Sequence, residues 1–289
     1  QMKKVEEKLT QLFGNNVSMT PLDSNDRMGR RIYGVDLTRL LSTEQAEFMV
    51  HLLDLYKVIS FPDQDQTRFR LRHLERLANH FGAPIPHPKN YANYIEFKKK
   101  KAPLKLLPTD QQTCSQCDQA FPDDLRCLDD ADSPAVYVVT NLVGSGQGKK
   151  EELIGGLHWH TDIEFEPIPL STSMFYVQAA PMTRNSASGN WVENIPREVG
   201  FYHPDSPPDL TERRNDLPLN GQTAYADTAA AYADLTAEKQ RELEGVMVRR
   251  RLRISDPGWL TPIVYKNPRT GEKSLHSPIW ASRGKNIAP

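Results

Sequence analysis

The 289 residues carry 36 Lys and Arg against 37 Asp and Glu, which gives a formal net charge of -1. A chain without an excess of basic residues has no electrostatic field that would hold nucleic acid or an anionic membrane surface. No apolar run approaches the roughly 20 residues that cross a bilayer, so we expect a small-molecule substrate, with no nucleic acid and no membrane as partners.

The start of the chain and its cysteine content favour a cytoplasmic protein. The first residues, QMKKVEEKLTQLFG, lack the apolar centre of a secretory signal, and three cysteines are too few for a disulfide framework. Cys114 and Cys117 form the motif CSQC, and Cys127 follows. A structural zinc site needs four ligands and no second pair exists, so free thiols in a surface loop are favoured over a zinc or redox site. The sequence leaves open whether copies associate as a homo-oligomer.

Local signals predict alternating strands and helices in the first part of the chain. A strand over residues 31–35 is followed by a helix that Ser42 or Thr43 caps, with apolar residues at helical spacing. The apolar run VISF predicts a short strand over 58–61, and a second helix lies within residues 66–82. The segment at about 90–133 has no regular pattern and is predicted to be an insertion.

The second half of the chain contains mostly short strands. We expect strands over residues 135–143 and 171–180, with a second insertion at about 182–219. A helix is predicted over Asp227–Tyr232, another begins near Thr236, and the turn NPRTGE joins two later strands. This order predicts a mainly β fold with helical cover, of the α+β class, in which residues 1–289 form a single catalytic domain.

The motif LHWHTD concentrates metal-binding side chains. At strand spacing His160 and Asp162 point the same way, and two histidines with one carboxylate form the facial triad of non-haem iron(II) sites. Two other interpretations remain at this point. His160 can be a hydrogen-bonded core residue with Asp162 in a turn, or His158 can join the pair in a zinc site.

Two longer stretches resemble a known enzyme family. LHWHTDIEFEPIPLSTSMFYVQAAP and NGQTAYADTAAAYADLTAEKQRELEG resemble the taurine/2,4-D dioxygenase (TauD/TfdA) family of iron(II)- and 2-oxoglutarate-dependent dioxygenases. The segments GVDL, KVISFPDQ and NPRTGEKSL also look like landmarks of that family, in the same order. The resemblance implies a double-stranded β-helix core (jelly roll, cupin-like) that uses Fe(II), 2-oxoglutarate and O2. The implied reaction hydroxylates an unactivated carbon of a small organic molecule and produces succinate and CO2.

The resemblance also implies roles for individual residues. His160 and Asp162 would be the catalytic metal ligands, and Thr223 would donate its hydroxyl to a carboxylate of 2-oxoglutarate. Asn141 would face the same cofactor pocket, with a structural role at a strand end as its alternative. The retained carboxylate of Asp162 favours hydroxylation over halogenation, which needs that position for chloride.

The chain departs from the family pattern in ways that keep other functions open. The third metal ligand and the arginine that binds 2-oxoglutarate are expected beyond Pro289, so the domain is predicted to lack its C-terminal end; His276 is the weaker candidate for that ligand. Gly156 replaces a polar residue that the taurine enzyme uses for its substrate, which argues against taurine. The alternatives are a non-catalytic binding protein on a degenerate β-helix and a zinc-dependent hydrolase.

Overall fold

The computed structural model forms two compact units, 1–147 and 148–289, and describes a defined subset of the residues. These are residues 2–22, 28–85, 104–105, 127–128, 135–136, 160–167, 170–177, 223, 225–251 and 255–276. None of the helices in these segments combines the length and the apolar composition needed to cross a bilayer.

The first unit combines helices with a small mixed sheet. Its elements are α1 (Met2–Phe13), β1 (Ser18–Pro21), β2 (Arg30–Tyr33), α2 (Thr43–Tyr56), β3 (Ile59–Ser60), α3 (Leu71–Asn79), β4 (Leu104–Lys105) and β5 (Cys127–Leu128). β1 pairs antiparallel with β2, and β2 pairs parallel with β3. Parallel neighbours need a crossover, and α2 provides it. β4 and β5 form a separate antiparallel pair.

Helix α2 begins where the sequence predicts. Ser42 is its N-cap: the Ser42 hydroxyl accepts from the Gln45 backbone N–H at 3.1 Å, and the Gln45 side chain accepts from the Ser42 N–H at 2.9 Å. This reciprocal capping box satisfies two backbone donors that the helix leaves unpaired. The helix then buries Phe48, Met49 and Leu52 against the core of the first unit.

Two sequence landmarks of the first unit, GVDL and FPDQ, contact each other. The Asp63 carboxylate accepts from the Gly34 N–H at 2.6 Å. The Gln64 side chain accepts from the Leu37 N–H at 3.0 Å and donates to the Val35 carbonyl at 2.8 Å. These polar side chains therefore fix the loop after β2 to the loop after β3.

The second unit contains two short helices and two β-hairpins among its described residues. These are α4 (Thr228–Ala233), α5 (Ala237–Glu244), β6 (Met247–Arg250), β7 (Trp259–Pro262), β8 (Val264–Lys266) and β9 (Lys273–Leu275). β6 pairs antiparallel with β7, and β8 with β9. The hairpin that the NPRTGE turn predicts is confirmed. Asp227 is the N-cap of α4 and accepts from the N–H groups of Ala229 and Ala230, each at 3.0 Å.

Some predicted elements differ from the structure. The described part of the predicted strand 171–180, residues 171–177, belongs to none of the described sheets, so that prediction is wrong for these residues. Helix α1 and strands β1, β6 and β7 were not predicted, nor were β4 and β5, which lie within the predicted insertion at about 90–133. Of the predicted strand 135–143 the structure describes residues 135 and 136, which belong to no strand, and residues 137–143 lie outside the described residues, as do the insertion 182–219, Cys114 and Cys117. The described strands form one three-stranded and three two-stranded sheets, and the double-stranded β-helix remains a prediction.

Candidate active site

His160 and Asp162 lie side by side at the start of a described turn of the second unit. The Nε2 atom of His160 is 3.3 Å from Oδ1 of Asp162, and the exposed fractions of the two side chains are 32% and 30%. Both side chains are thus partly accessible and converge on one point. The local spacing His-x-Asp achieves this convergence without a hydrogen-bonded strand.

A third side chain holds the Asp162 carboxylate from the other direction. The Ser173 hydroxyl donates to Oδ2 of Asp162 at 2.7 Å, while His160 interacts with Oδ1. The hydrogen bond from His160 is the largest influence and lowers the pKa of Asp162, the Ser173 hydrogen bond also lowers it, and burial opposes both. The carboxylate is therefore ionised near neutral pH, as a metal ligand must be.

The geometry of this pair fits two adjacent positions around a metal ion. Bonds of about 2.1 Å with an angle of about 90–100° between them separate two donor atoms by about 3.0–3.2 Å. The observed 3.3 Å lies close to that separation. Among the residues that the structure describes, no third His, Cys, Asp or Glu joins the pair in a group that could hold a metal.

The segment 160–164, in which a turn begins at Asp162 (the 160–164 turn), has a strained backbone immediately after Asp162. Ile163 adopts φ 53°, a left-handed conformation that a β-branched residue rarely takes. The Glu164 side chain accepts from the Thr161 N–H at 3.4 Å, and the Glu166 N–H donates to the Ile163 carbonyl at 3.1 Å. Glu164 is fully buried, with 0% exposure. The 160–164 turn is thus closed from both sides of the strained residue.

A buried arginine contacts the end of this turn. Arg250, on β6, has 0% exposure and donates through Nη1 to the Glu164 carbonyl at 3.3 Å. Its Nε donates to the Thr261 hydroxyl at 2.5 Å, and its Nη2 donates to the His276 carbonyl at 2.7 Å. Burial is the largest influence and lowers the pKa of Arg250, whereas Tyr265 and the charge of Glu164 raise it.

Tyr225, two residues after the predicted site residue Thr223, is electrostatically influenced by Asp162. Thr223 is exposed. Tyr225, two residues later, is 44% exposed, and its phenol pKa is raised by burial and by the negative charge of Asp162. Ala224, between these two residues, lies outside the described part of the chain, and the direction of the Thr223 side chain remains a prediction.

His276, the weaker candidate for the third ligand, has a different environment. Its ring packs against Tyr265 with centroids 4.9 Å apart, and its Nε2 is buried without a hydrogen-bond partner in the described structure. Burial, followed by the charge of Arg250, lowers its pKa to about 4. His276 does not join the His160 and Asp162 pair in a metal-binding group of the described residues. Asn141 and His158 lie outside the described residues.

Sequence reasoning missed four residues around the pair: Ser173, Glu164, Tyr225 and Arg250. Thr161 and Glu164 match the spacing Thr-x-x-Glu of a capping box, which could have indicated a side-chain contact back to the Thr161 backbone. Tyr225 lies two residues after Thr223, a spacing that places both side chains on one face of a strand. Arg250 stands in the run RRRLR, where no local signal distinguishes the buried arginine from the other arginines of the run.

Comparison with known proteins gives a family match over most of the chain. The model of the family "Taurine catabolism dioxygenase TauD, TfdA family" matches residues 18–287. Among solved structures, AAD-2 in complex with Mn(II) and N-oxalylglycine is 17% identical, with a TM-score of 0.46, and the match covers 92% of this chain and 70% of that one. A taurine dioxygenase from Burkholderia xenovorans is also 17% identical, with a TM-score of 0.45, over 91% of this chain and 63% of that one. No curated protein sequence matches significantly. The extent of the family match shows that the chain belongs to the TauD/TfdA family of dioxygenases.

Proposed function

We propose that this protein is an iron(II)- and 2-oxoglutarate-dependent dioxygenase that hydroxylates an unactivated carbon of a small organic molecule. The observation that carries the proposal is the convergence of His160 and Asp162 at 3.3 Å in a chain of the TauD/TfdA family. One catalytic domain on a double-stranded β-helix would present this pair, with insertions at about 90–133 and 182–219. A cytoplasmic location is part of the same proposal.

In this proposal His160 and Asp162 hold the iron, and Ser173 keeps the Asp162 carboxylate in place through its hydrogen bond. Iron with bound 2-oxoglutarate supplies the oxidising chemistry when both are present. Overall, 2-oxoglutarate, O2 and the substrate C–H group give succinate, CO2 and the substrate C–OH group, so one oxygen atom enters succinate and the other enters the product. The protein binds and orients the reactants and excludes water.

Thr223 and Asn141 are the proposed contacts for 2-oxoglutarate. The Thr223 hydroxyl would donate a hydrogen bond to a carboxylate of the cofactor. Thr223 is exposed and therefore accessible to a ligand. The assignment of Thr223 rests on the family resemblance of its position, and the electrostatic influence of Asp162 on Tyr225, two residues later, is in keeping with it. The role of Asn141 follows from the family resemblance alone.

The segment 171–177 favours a substrate with an apolar part. Exposed and half-buried residues alternate along it, and Ser173, Phe175 and Val177 are among the exposed ones. Ser173 contacts Asp162, while Phe175 and Val177 are 54% and 61% exposed. In an extended chain, side chains two residues apart lie on the same face, about 6.6 Å from one another. An apolar substrate group could therefore lie along Phe175 and Val177 while its reacting carbon faces the metal.

The test is coupled consumption of O2 and 2-oxoglutarate with release of succinate. The protein with Fe(II) would be assayed against a panel of small organic acids with and without apolar groups, beside Asp162→Ala and the control Asp234→Ala. Asp234 is an exposed residue at the end of α4, so its loss should leave turnover unchanged. We expect Asp162→Ala to abolish turnover because it removes a metal ligand. Full turnover by this variant would contradict the assignment, and metal-dependent turnover without O2 would indicate a hydrolase.

A further inference from the structure

One side chain, Arg250, connects three separate segments of the second unit. From β6 it binds the Glu164 carbonyl at the end of the 160–164 turn, the Thr261 hydroxyl on β7 and the His276 carbonyl just after β9. A guanidinium group is planar and presents its donors in fixed directions. The three acceptors are therefore held at set positions relative to the β6–β7 hairpin.

The turn that Arg250 contacts includes both proposed metal ligands and a strained residue. The left-handed conformation of Ile163 is unfavourable for an L-residue, and it is less readily tolerated by a β-branched side chain than by Asn or Gly. Such a conformation persists only where its surroundings hold it. Arg250 holds the carbonyl of the next residue, Glu164, and the Glu164 carboxylate holds the Thr161 N–H between the two ligands.

Stability alone does not account for the charges at this position. Arg250 and Glu164 both have 0% exposure, and removal of a charged group from water costs several kcal/mol. Apolar residues of similar volume often stabilise a buried position equally well or better. A buried charge that binds three acceptors does, however, specify where those acceptors lie.

We propose that Arg250, together with Glu164, is the positioning element for the metal ligands His160 and Asp162. Arg250 acts through the backbone of the 160–164 turn and does not touch the metal or the substrate. This inference rests on the proposed function, since it assigns a role toward the metal that the pair would hold. It also predicts that the effect of Arg250 on metal binding exceeds its effect on folding.

The test uses Co(II) alone as the probe, because its binding to the protein can be followed by absorption without turnover. Arg250→Lys keeps the positive charge but cannot reproduce three hydrogen bonds with fixed directions. The matched control is Arg249→Lys, its exposed neighbour on β6, which donates to the Pro257 carbonyl at 2.7 Å. Thermal unfolding without metal is measured in parallel to separate folding from metal binding.

Loss of a group that orients metal ligands typically lowers metal affinity about 10–100-fold. We expect that loss, with a changed Co(II) spectrum, in Arg250→Lys and unaltered values in Arg249→Lys. A folded Arg250→Lys with the affinity and spectrum of the unaltered protein would overturn the inference.

A second variant decides the case in which Arg250→Lys does not fold. Glu164→Leu keeps a side chain of similar size but removes the oxygen that accepts from the Thr161 N–H, so it breaks the contact at Thr161, between the two metal ligands, without a change at Arg250. We expect its Co(II) affinity to fall about tenfold, and an unchanged affinity would overturn the inference. If the unaltered protein binds no Co(II), the proposed function itself fails, and the role of Arg250 fails with it.

Discussion

Two glycines of the second unit provide a matched pair for testing how tightly β6 is packed. Gly258 and Gly271 both have left-handed backbones, with φ 64° and 75°. A Cβ atom added at Gly258 would lie 2.3 Å from the Arg250 carbonyl oxygen and 2.9 Å from Cβ of Arg251. At Gly271 the nearest atom would be Cε of Lys266 at 3.7 Å, an ordinary contact. Alanine therefore meets the same backbone strain at both sites but a severe clash at only one.

The expected costs differ for that reason. Alanine in a left-handed conformation costs about 1–2 kcal/mol, offset by about 0.4–1 kcal/mol from the smaller entropy of the unfolded chain. Gly271→Ala should thus destabilise by about 0–1.6 kcal/mol. Gly258→Ala must in addition displace the backbone of Arg250, and overpacking of this kind typically costs about 1–3 kcal/mol more.

Thermal unfolding followed by circular dichroism measures the difference. Since about 1 kcal/mol shifts the melting temperature by about 2–4 °C in a protein of this size, Gly258→Ala should melt about 2–12 °C below Gly271→Ala. Equal melting temperatures would refute the close contact between Gly258 and the Arg250 backbone. They would also weaken the placement of the Arg250 side chain.

Three further predictions concern other contacts. Gln64→Leu leaves two backbone groups of the first unit without their hydrogen bonds and should lower the free energy of unfolding by about 2 kcal/mol, as measured by urea denaturation. The control Gln11→Leu, on the exposed face of α1, should leave that free energy unchanged. His276 has a pKa of about 4 in the folded protein against 6.5 for a free side chain, so the unfolded state binds more protons between these values. The stability of the second unit should therefore fall as the pH is lowered from about 6.5 to 4, and His276→Gln should flatten that dependence in melts across this range. Ser173→Ala removes the 2.7 Å hydrogen bond to Asp162 and should weaken Co(II) binding about tenfold, with little change in melting temperature.

Elements whose signals lie within a few adjacent residues were predicted from the sequence. Ser42 and Gln45 mark the start of α2 because a capping box is complete within one turn of helix. The NPRTGE hairpin follows from turn residues in the same way. The contact between His160 and Asp162 is also local, but the structure has a turn that begins at Asp162 and not the strand from which their shared direction was predicted.

Features that depend on distant partners were not predicted. The segment 171–177 is rich in β-branched and aromatic residues, but such residues form a strand only when a partner strand is adjacent. Arg250 binds residues that are 86, 11 and 26 positions away, and the sequence gives no sign of these contacts. The left-handed Ile163 opposes its own intrinsic preference, and among the described residues Glu164 contacts Thr161 and Arg250 on either side of it.

Anaerobic titration with Fe(II) and 2-oxoglutarate tests the central claim most directly. When both bind at one site, a weak charge-transfer band of the chelate develops in the visible region. We predict a saturable band with one equivalent of each, lost in Asp162→Ala and retained in Asp234→Ala. The absence of any band from the folded, unaltered protein would contradict the proposed dioxygenase site.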